Sequence, residues 1–271
     1  MPGAISLTIA SRFKGPPDSG NGGYVCGAFA VAAGAELRIR LLAPPPLDTP
    51  MALEHTAPDD LWRLRYLDQT VASGTPADPL RLEVPRAPPY VQAVWASQHY
   101  VGFREHTFPD CFVCGPHRRR GDGMRIFPGL LDSGMVAAPW IPADDLDGGD
   151  GKVAVEFHWA ALDCPGYFAA VGDAPRTMLL GEMQAHVDRR VHVGEACMVL
   201  GWLIASEGRK YRCGTAIFDE DGELCARALT TWIAMPPRLA APPAPGFLRV
   251  LGSVMPRPAE AQSAFTRAQL P

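Results

Sequence analysis

Two apolar helices, each followed by alternating strands, organise the hydrophobic and polar positions of this chain. Residues 22–33 are nearly all small or apolar and follow a glycine-rich turn, which predicts a buried helix ending at Gly34 as its C-cap. Hydrophobic and polar residues then alternate as they do in half-buried antiparallel strands. The alternating segments of this first half are residues 5–13, 36–42, 50–56 and 61–68.

The second half of the chain repeats this order. A second apolar helix is predicted over about 159–170, with Asp163 on its first turns. Pro165 fits the start of that helix, because the N–H that proline lacks would have no partner there. Strands are predicted over 123–127, 135–140, 177–187, 195–206, 210–218 and 224–233, with a hairpin turn at 219–222. The repeated order predicts an α+β double domain.

The segments between these elements divide the chain. Residues 74–90 are rich in Pro, Ala and Arg and predict a loop, and residues 91–100 predict a short amphipathic helix that links the halves. We therefore expect an N-terminal unit over 1–100, a C-terminal unit over 101–235 and a Pro/Ala-rich tail over 236–271.

Composition narrows the class of protein. A hydrophobic content of 47% and a charged content of 20% in 271 residues are typical of a globular chain. The net charge of −4 argues against nucleic acid as the main partner. The basic run at 117–120 is interpreted as a solvated turn, with a contact to the phosphates of a nucleotide-bearing ligand as the alternative.

Location is inferred from the absence of targeting signals and from the cysteines. No apolar run approaches the roughly 20 residues of a transmembrane helix, so we expect no membrane partner. The first residues lack the features of a signal peptide, and seven scattered cysteines are typical of reduced thiols. These observations predict a cytoplasmic protein.

The glycine-rich start of the first helix is one candidate site. Asn21, Gly22, Gly23 and Tyr24 lie where the backbone can approach a ligand closely and where free N–H groups can stabilise an oxyanion. The alternative is a tight turn with Asn21 or a glycine as an ordinary N-cap.

Asp163 is the candidate acid. It lies within an apolar run and could act as a general base for water or as a nucleophile. The alternative is an aspartate that only caps its own helix. The sequence contains no Ser-His-Asp order, P-loop or Rossmann fingerprint.

The cysteines allow a third, weaker hypothesis. Cys111 and Cys114 form a Cys-x-x-Cys pair, which His106 and His117 could complete as a zinc site, but a packed turn is the preferred interpretation. The thiol of Cys164 is interpreted as apolar packing, since only His158 is near it in the sequence.

Several of these segments resemble the hotdog-fold acyl-CoA thioesterase superfamily, and specifically its tandem, double-hotdog members. Cys111–Gly115 with the following Gly121–Phe127 is similar to the lead-in of phenylacetate-type hotdog thioesterases, whose cysteines are not usually metal ligands. Ala161–Asp163 resembles the segment that places the catalytic carboxylate on the central helix. Gly22–Tyr24 resembles the glycine-glycine helix start whose amides polarise the thioester carbonyl. The likeness covers roughly residues 10–235.

The resemblance implies a double hotdog, in which two central helices are each wrapped by an antiparallel β-sheet. Its active sites lie between the paired helices, which would join Asp163 of one half to Gly22 and Gly23 of the other in one site per chain. Double-hotdog thioesterases support the acid with a Thr or Ser and a Gln; here Gly181 or Glu182 and Thr230 hold the matching places, with Gln184 close by.

The expected activity is hydrolysis of an acyl-CoA or carrier-bound acyl thioester by a homodimer. Asp163 would be the base or nucleophile, and the amides of Gly22 and Gly23 the oxyanion hole. The residues expected to bind or position substrate are Asn21, Tyr24, Phe29, Tyr167, Phe168, Gln184 and Thr230. No metal or other cofactor is expected. The alternative is a non-catalytic protein that binds acyl thioesters or other hydrophobic ligands, whereas the absence of an Asp/His cluster argues against a dehydratase or lyase.

Overall fold

The computed structural model describes residues 5–174 and 176–236. The predicted tail over 236–271 lies outside the described residues apart from Pro236. The helices are α1 (Gly22–Ala33), α2 (Tyr90–Gln98), α3 (Val155–Ala161) and α4 (Cys164–Val171). The strands are β1 (Ile5–Thr8), β2 (Leu37–Leu41), β3 (Pro50–Thr56), β4 (Leu61–Tyr66), β5 (Gln69–Pro76), β6 (Gly129–Leu130), β7 (Val136–Trp140), β8 (Met178–Val187), β9 (Cys197–Glu207), β10 (Lys210–Phe218) and β11 (Leu224–Ala234).

All eleven strands form one antiparallel sheet in the order β1-β3-β4-β5-β2-β8-β11-β10-β9-β7-β6. The strands of the first half occupy one side of this order and those of the second half the other. They meet where β2 pairs with β8 through only two residue pairs, Ile39 with Met183 and Arg40 with Glu182. The side chains of Arg40 and Glu182 also form an ion pair at 2.6 Å across this junction.

Local sequence signals account for the limits of α1. The side chain of Asn21 caps its start by accepting a hydrogen bond from the N–H of Tyr24. Gly34 ends the helix with a φ of 62°, a left-handed conformation that glycine adopts without strain. Both limits of this helix and its C-cap are as predicted.

The central helices of the two halves pack directly on each other through glycines. A Cβ added at Gly27 would lie 2.7 Å from the Cα of Glu156 and 2.8 Å from the Cβ of Trp159, both on α3. A side chain there would force the helices apart. The pairing of two central helices under one continuous antiparallel sheet confirms the predicted α+β double-hotdog architecture.

Several predicted elements differ from the structure. The strand predicted over 5–13 ends at Thr8, and β5 (Gln69–Pro76) was not predicted as a strand. The strand predicted over 123–127 is wrong, because Arg125 adopts a φ of 55° and interrupts the extended chain. The loop predicted from residue 74 begins later, because β5 continues to Pro76; its small and polar residues gave little alternation. The second apolar helix starts earlier, at Val155, and is interrupted between α3 and α4.

The helix α2 packs against β7 and β6 of the second half. Its Ala93 and Ala96 are fully buried in an apolar cluster with Met198 and Leu200 of β9. The division of the chain at residue 100 stays a prediction, and this packing shows only which strands the linking helix covers.

Candidate functional site

Asp163 lies at the interruption between α3 and α4, and three features accompany that interruption. Pro165 has no N–H to donate to the carbonyl of Ala161, so a regular helix cannot run through this point. The hydroxyl of Thr215, on β10, donates to the carbonyl of Leu162 at 2.7 Å. The N–H of Gly166 donates to the main-chain carbonyl of Asp163 at 3.0 Å. The break turns the Asp163 side chain into the interior, where it is 1% exposed.

The carboxylate of Asp163 is held by the start of α1 from the other half of the chain. Its Oδ2 accepts hydrogen bonds from the N–H of Gly23 and from the Nδ2 of Asn21, each at 2.9 Å. The side chain makes no cap to its own helix, so the capping alternative for Asp163 is wrong. The structure therefore brings Asn21, Gly23 and Asp163 together across the pair of central helices.

Gly23 is the residue that permits this approach. A Cβ at this position would lie 2.5 Å from the Cβ of Asp163 and 2.6 Å from the carbonyl oxygen of Trp159. Any side chain would therefore separate the N–H from its carboxylate acceptor. Of the two predicted oxyanion donors, Gly23 gives its N–H to Asp163 in this structure.

Burial dominates the electrostatics of the carboxylate. It raises the pKa of Asp163 to about 7, and the nearby Cys111 acts in the same direction, while the hydrogen bonds from Gly23 and Asn21 act against it. Among the described residues, Oδ1 of Asp163 has no hydrogen-bond partner. One oxygen is thus fixed and the other keeps its lone pairs free to accept a proton or attack a carbon.

The remaining first-half residues of the predicted site surround this contact. Gly22 packs so closely on Leu180 that an added Cβ would lie 2.8 Å from its Cδ2. The ring of Tyr24 stacks on Phe13 with centroids 4.2 Å apart, and burial raises its pKa to about 12. Phe29 is fully buried in the core.

The second-half residues of the predicted site are divided between the helix and the strands. Tyr167 and Phe168 on α4 are both buried and pack edge to face at 4.7 Å. Thr230 is fully buried and its hydroxyl donates to the carbonyl of Cys213, so it faces inward as alternation predicts.

Gln184 lies apart from Asp163. Its Nε2 donates to the carbonyl of Asp78 at 2.8 Å, and its Oε1 accepts from Arg38 at 3.4 Å, near the junction of β2 with β8. Neither Gln184 nor Thr230 hydrogen-bonds to Asp163, so the structure does not bring the predicted supporting side chains to the carboxylate.

Thr215 was not predicted as a site residue, although its hydroxyl holds the carbonyl of Leu162, the residue before Asp163. The only available signal was a threonine within the otherwise apolar stretch of β10. His158, considered as a partner for Cys164, instead hydrogen-bonds to the carbonyl of Ala154 and to the N–H of Val191.

Three thiols lie beside this site. The Sγ atoms of Cys111, Cys114 and Cys164 all lie within 4.8 Å of one another, and the three residues are buried. Cys164, which was interpreted from the sequence as apolar packing alone, thus lies with the Cys-x-x-Cys pair. His117 lies outside this group, where its exposed ring faces Asp110 at 3.6 Å.

Two open clefts in the described part of the chain lie away from Asp163. One is lined by residues 207–210 and Ile233, and the other by residues 5–6 and 50–52. Neither is lined by Asp163, which is enclosed by its neighbours. Within the described residues, no helix combines the length and apolar character that crossing a bilayer requires.

Comparisons with known proteins extend the description of the fold. No protein-family model and no curated protein matches the chain. A solved structure of a tesB protein from Mycobacterium avium subsp. paratuberculosis matches 80% of this chain and 88% of its own, with 14% identity and a TM-score of 0.51.

Two further matches each cover less than half of the chain. A thioesterase from Haemophilus influenzae matches 41% of this chain and 79% of its own, with 15% identity and a TM-score of 0.38. A thioesterase superfamily protein matches 41% of this chain and only 57% of its own, with 19% identity and a TM-score of 0.38. The sheet topology and the long match to the tesB protein together show that this chain has the double-hotdog fold.

Proposed function

We propose that the protein hydrolyses an acyl thioester carried by coenzyme A or by a carrier protein. The observation that carries this proposal is the buried carboxylate of Asp163, held through Oδ2 by Gly23 and Asn21 at 2.9 Å while Oδ1 has no partner in the described part of the chain. A carboxylate oriented through one oxygen presents the other to a reacting atom in a defined direction.

Asp163 would serve as a general base or as a nucleophile. As a base, its Oδ1 takes a proton from water while the water oxygen attacks the thioester carbonyl carbon. Collapse of the tetrahedral intermediate breaks the carbon–sulfur bond, and the products are the free acid and the thiol. As a nucleophile, Oδ1 attacks the carbonyl carbon and expels the thiolate, which forms a mixed anhydride. Water then hydrolyses the anhydride to the free acid and restores the carboxylate of Asp163.

The start of α1 would stabilise the oxyanion of that intermediate. The first N–H groups of a helix have no acceptor within the helix, and their dipoles favour negative charge. Asn21 takes the N–H of Tyr24 and Asp163 takes that of Gly23, which leaves Gly22 as the first-turn amide neither of them uses. Gly22 is therefore the proposed oxyanion donor, and Gly23 can join it only where Asp163 releases its N–H.

The acyl group would lie between the central helices, beside Phe29, Tyr167 and Phe168, with Asn21 and Tyr24 positioning the thioester. These aromatic side chains are in contact with their neighbours, so the helices or rings must move to admit substrate. Gln184 and Thr230 are supporting candidates only if such a movement brings them to the reacting water.

One observation favours a second function, that of a non-catalytic binder of acyl thioesters or other hydrophobic ligands. Asp163 is 1% exposed, and neither Gln184 nor Thr230 is in hydrogen-bond contact with it. A protein that only binds would need no access of water to the carboxylate.

The experiment compares wild type with Asp163→Asn on a panel of short, long and aromatic acyl-CoAs. Free thiol release is followed with protein far below substrate, so that its own cysteines do not contribute. Asp173→Asn, the same substitution at an exposed position just after α4, is the matched control.

We expect Asp163→Asn to lower turnover by at least about 10³-fold while Asp173→Asn retains it. Unchanged turnover in Asp163→Asn would refute the role of Asp163. Binding of acyl-CoA by both proteins without turnover would favour the binding function.

The proposal includes a cytoplasmic location and a homodimer. All seven cysteines are free and buried, which fits a reducing compartment. The strands β1 and β6 end the sheet, and an open edge favours pairing with a second copy.

A further inference from the structure

Three buried thiols beside the candidate site have no role in the proposed hydrolysis. Cys111 and Cys114 lie in the loop between α2 and β6, and Cys164 begins α4. Their exposed fractions are 5% or less. They meet although 53 residues separate Cys111 from Cys164.

The spacing of the sulfur atoms matches that of a metal–thiolate centre. All three Sγ atoms lie within 4.8 Å of one another, and those of Cys111 and Cys164 are 3.8 Å apart. A metal ion with sulfur bonds of about 2.3 Å holds its sulfur ligands roughly 3.8 Å apart. The three sulfurs are therefore already close enough to bind one ion between them after only a small movement.

Two side-chain N–H donors lie against the three sulfurs, because Asn21 gives one of its two N–H groups to Asp163. The Nδ2 of Asn21 lies 3.8 Å from the Sγ of Cys111 and 4.0 Å from that of Cys164. The Nε2 of His106 lies 3.3 Å from the Sγ of Cys114. Donors aimed at sulfur stabilise thiolates, the form in which cysteine binds a metal.

The tautomer of His106 follows from its other contact. The N–H of Phe108 donates to Nδ1 of His106 at 3.0 Å, so Nδ1 accepts and the proton of the neutral ring lies on Nε2. His106 is thus a donor to Cys114 rather than a fourth ligand. Within the described residues the cluster consists of three sulfur ligands.

The turn that carries two of the thiols is tightly built. The N–H of Gly115 donates to the carbonyl of Cys111 at 2.9 Å. A Cβ at Gly115 would lie 2.5 Å from that same carbonyl oxygen, so glycine is required for the turn to close. The relative positions of Cys111 and Cys114 are therefore set by the backbone before any ion binds.

We propose that Cys111, Cys114 and Cys164 bind one thiophilic metal ion as thiolates. Soft sulfur ligands select Cu⁺ and Zn²⁺ among the common cellular ions. Binding releases the three thiol protons and forms three metal–sulfur bonds, without oxidation of either partner. Three-coordinate Cu⁺ uses the sulfurs alone, whereas Zn²⁺ adds a fourth ligand from solution.

The test measures metal binding directly. Full-length protein without a polyhistidine tag is stripped of metal under reducing conditions and titrated with Zn²⁺ or Cu⁺ against a competing chromophoric chelator. Metal analysis gives the stoichiometry, and Co²⁺ in place of Zn²⁺ gives thiolate-to-cobalt charge-transfer absorption. We expect one ion per chain, and the two titrations give the affinity of the site for each ion.

Variants locate the ion. Cys111→Ser and Cys164→Ser are expected to weaken binding by at least about 100-fold. Cys197→Ser, a buried thiol on β9 outside the cluster, is the matched control and should bind as wild type does. Equal binding by Cys164→Ser and wild type would overturn the proposal.

A measurement on the wild type keeps the test independent of how the variants fold. Because all seven cysteines are buried, alkylation in denaturant-free buffer proceeds only through opening of the structure, and its rate at each cysteine is mapped by mass spectrometry. Metal addition should slow alkylation of Cys111, Cys114 and Cys164 more than that of any other cysteine. Failure of both ions to bind, equal slowing at all cysteines, or a disulfide between Cys111 and Cys164 in protein purified under reductant would each refute the site. Because these readouts do not involve thioester hydrolysis, they stand or fall separately from the proposed function.

Discussion

A neutral histidine anchors the helix that leads to Asp163. His158 on α3 is fully buried, with Nδ1 3.1 Å from the carbonyl of Ala154 and Nε2 3.0 Å from the main-chain N of Val191. The carbonyl can only accept and the N–H can only donate, so Nδ1 carries the proton and Nε2 does not. Protonation of Nε2 would break the bond to Val191.

The free-energy cost of that protonation follows from the pKa. Burial lowers the pKa of His158 from 6.5 to about 4; Arg190 and Arg189 also lower it, while the carbonyl of Ala154 and the carboxylate of Glu195 act against them. The difference of about 2.5 between folded and unfolded pKa corresponds to about 3 kcal/mol.

The sign is set by which state binds the proton first. Above pH 6.5 neither state is protonated at His158, and its contribution to the free energy of unfolding is complete. As the pH falls from about 6.5 to about 4, the unfolded chain takes up a proton that the folded chain does not. The contribution is therefore lost over this range and stays constant below it.

Denaturant unfolding of wild type and His158→Gln from pH 7.5 to 4 measures this loss. The glutamine oxygen can still accept from Val191 and does not titrate, so the variant should lack about 3 kcal/mol of the pH dependence. His192→Gln, at an exposed position in the adjoining loop, should keep the wild-type dependence. Parallel curves for wild type and His158→Gln would refute the assignment of a buried neutral imidazole.

Three further substitutions test how the candidate site and its sheet are built. Gly23→Ala places a Cβ 2.5 Å from that of Asp163 and should lower the free energy of unfolding by about 1–3 kcal/mol and abolish any hydrolysis. Thr215→Val removes the donor to the carbonyl of Leu162 and should cost about 1–3 kcal/mol in the same measurement. Gly222→Ala puts a side chain at a φ of 82° in the turn between β10 and β11 and should cost about 1 kcal/mol by thermal unfolding.

Matched controls separate these effects from those of substitution alone. Val31→Ala, at a half-exposed position on α1, and Thr231→Val, at a partly exposed position on β11, should each change stability by about 0.5 kcal/mol or less. A stable Gly23→Ala protein would show that the central helices can separate at little cost. Equal stability of Thr215→Val and Thr231→Val would remove Thr215 from the account of the helix break.

Features with a local cause could be predicted from the sequence. The limits of α1 depend on Asn21 and Gly34, which lie at its own ends, and the turn at 219–222 depends on residues within four positions. The strand predicted over 123–127 failed because the left-handed backbone of Arg125, a residue type with no preference for it, carries no sequence signal.

Contacts between distant segments could not be predicted without knowledge of the fold. The pairing of Asp163 with Gly23 was expected only from the resemblance to double-hotdog proteins, since no local pattern connects residues 140 positions apart. The meeting of Cys164 with Cys111 was not predicted at all. Its cause is the packing of the Cys111–Gly115 turn against the start of α4, which neither segment encodes alone.

The shared carboxylate has a consequence for how the two halves depend on each other. The first half supplies Asn21 and Gly23 and the second supplies Asp163, yet their sheets join through only two residue pairs. In the second half expressed alone, the face that α1 covers would be open to water, so Asp163 would lose both its donors from α1 and the burial that raises its pKa. Only reassociation of fragments cut between the halves would restore this site, so recovery of any hydrolysis would report their assembly.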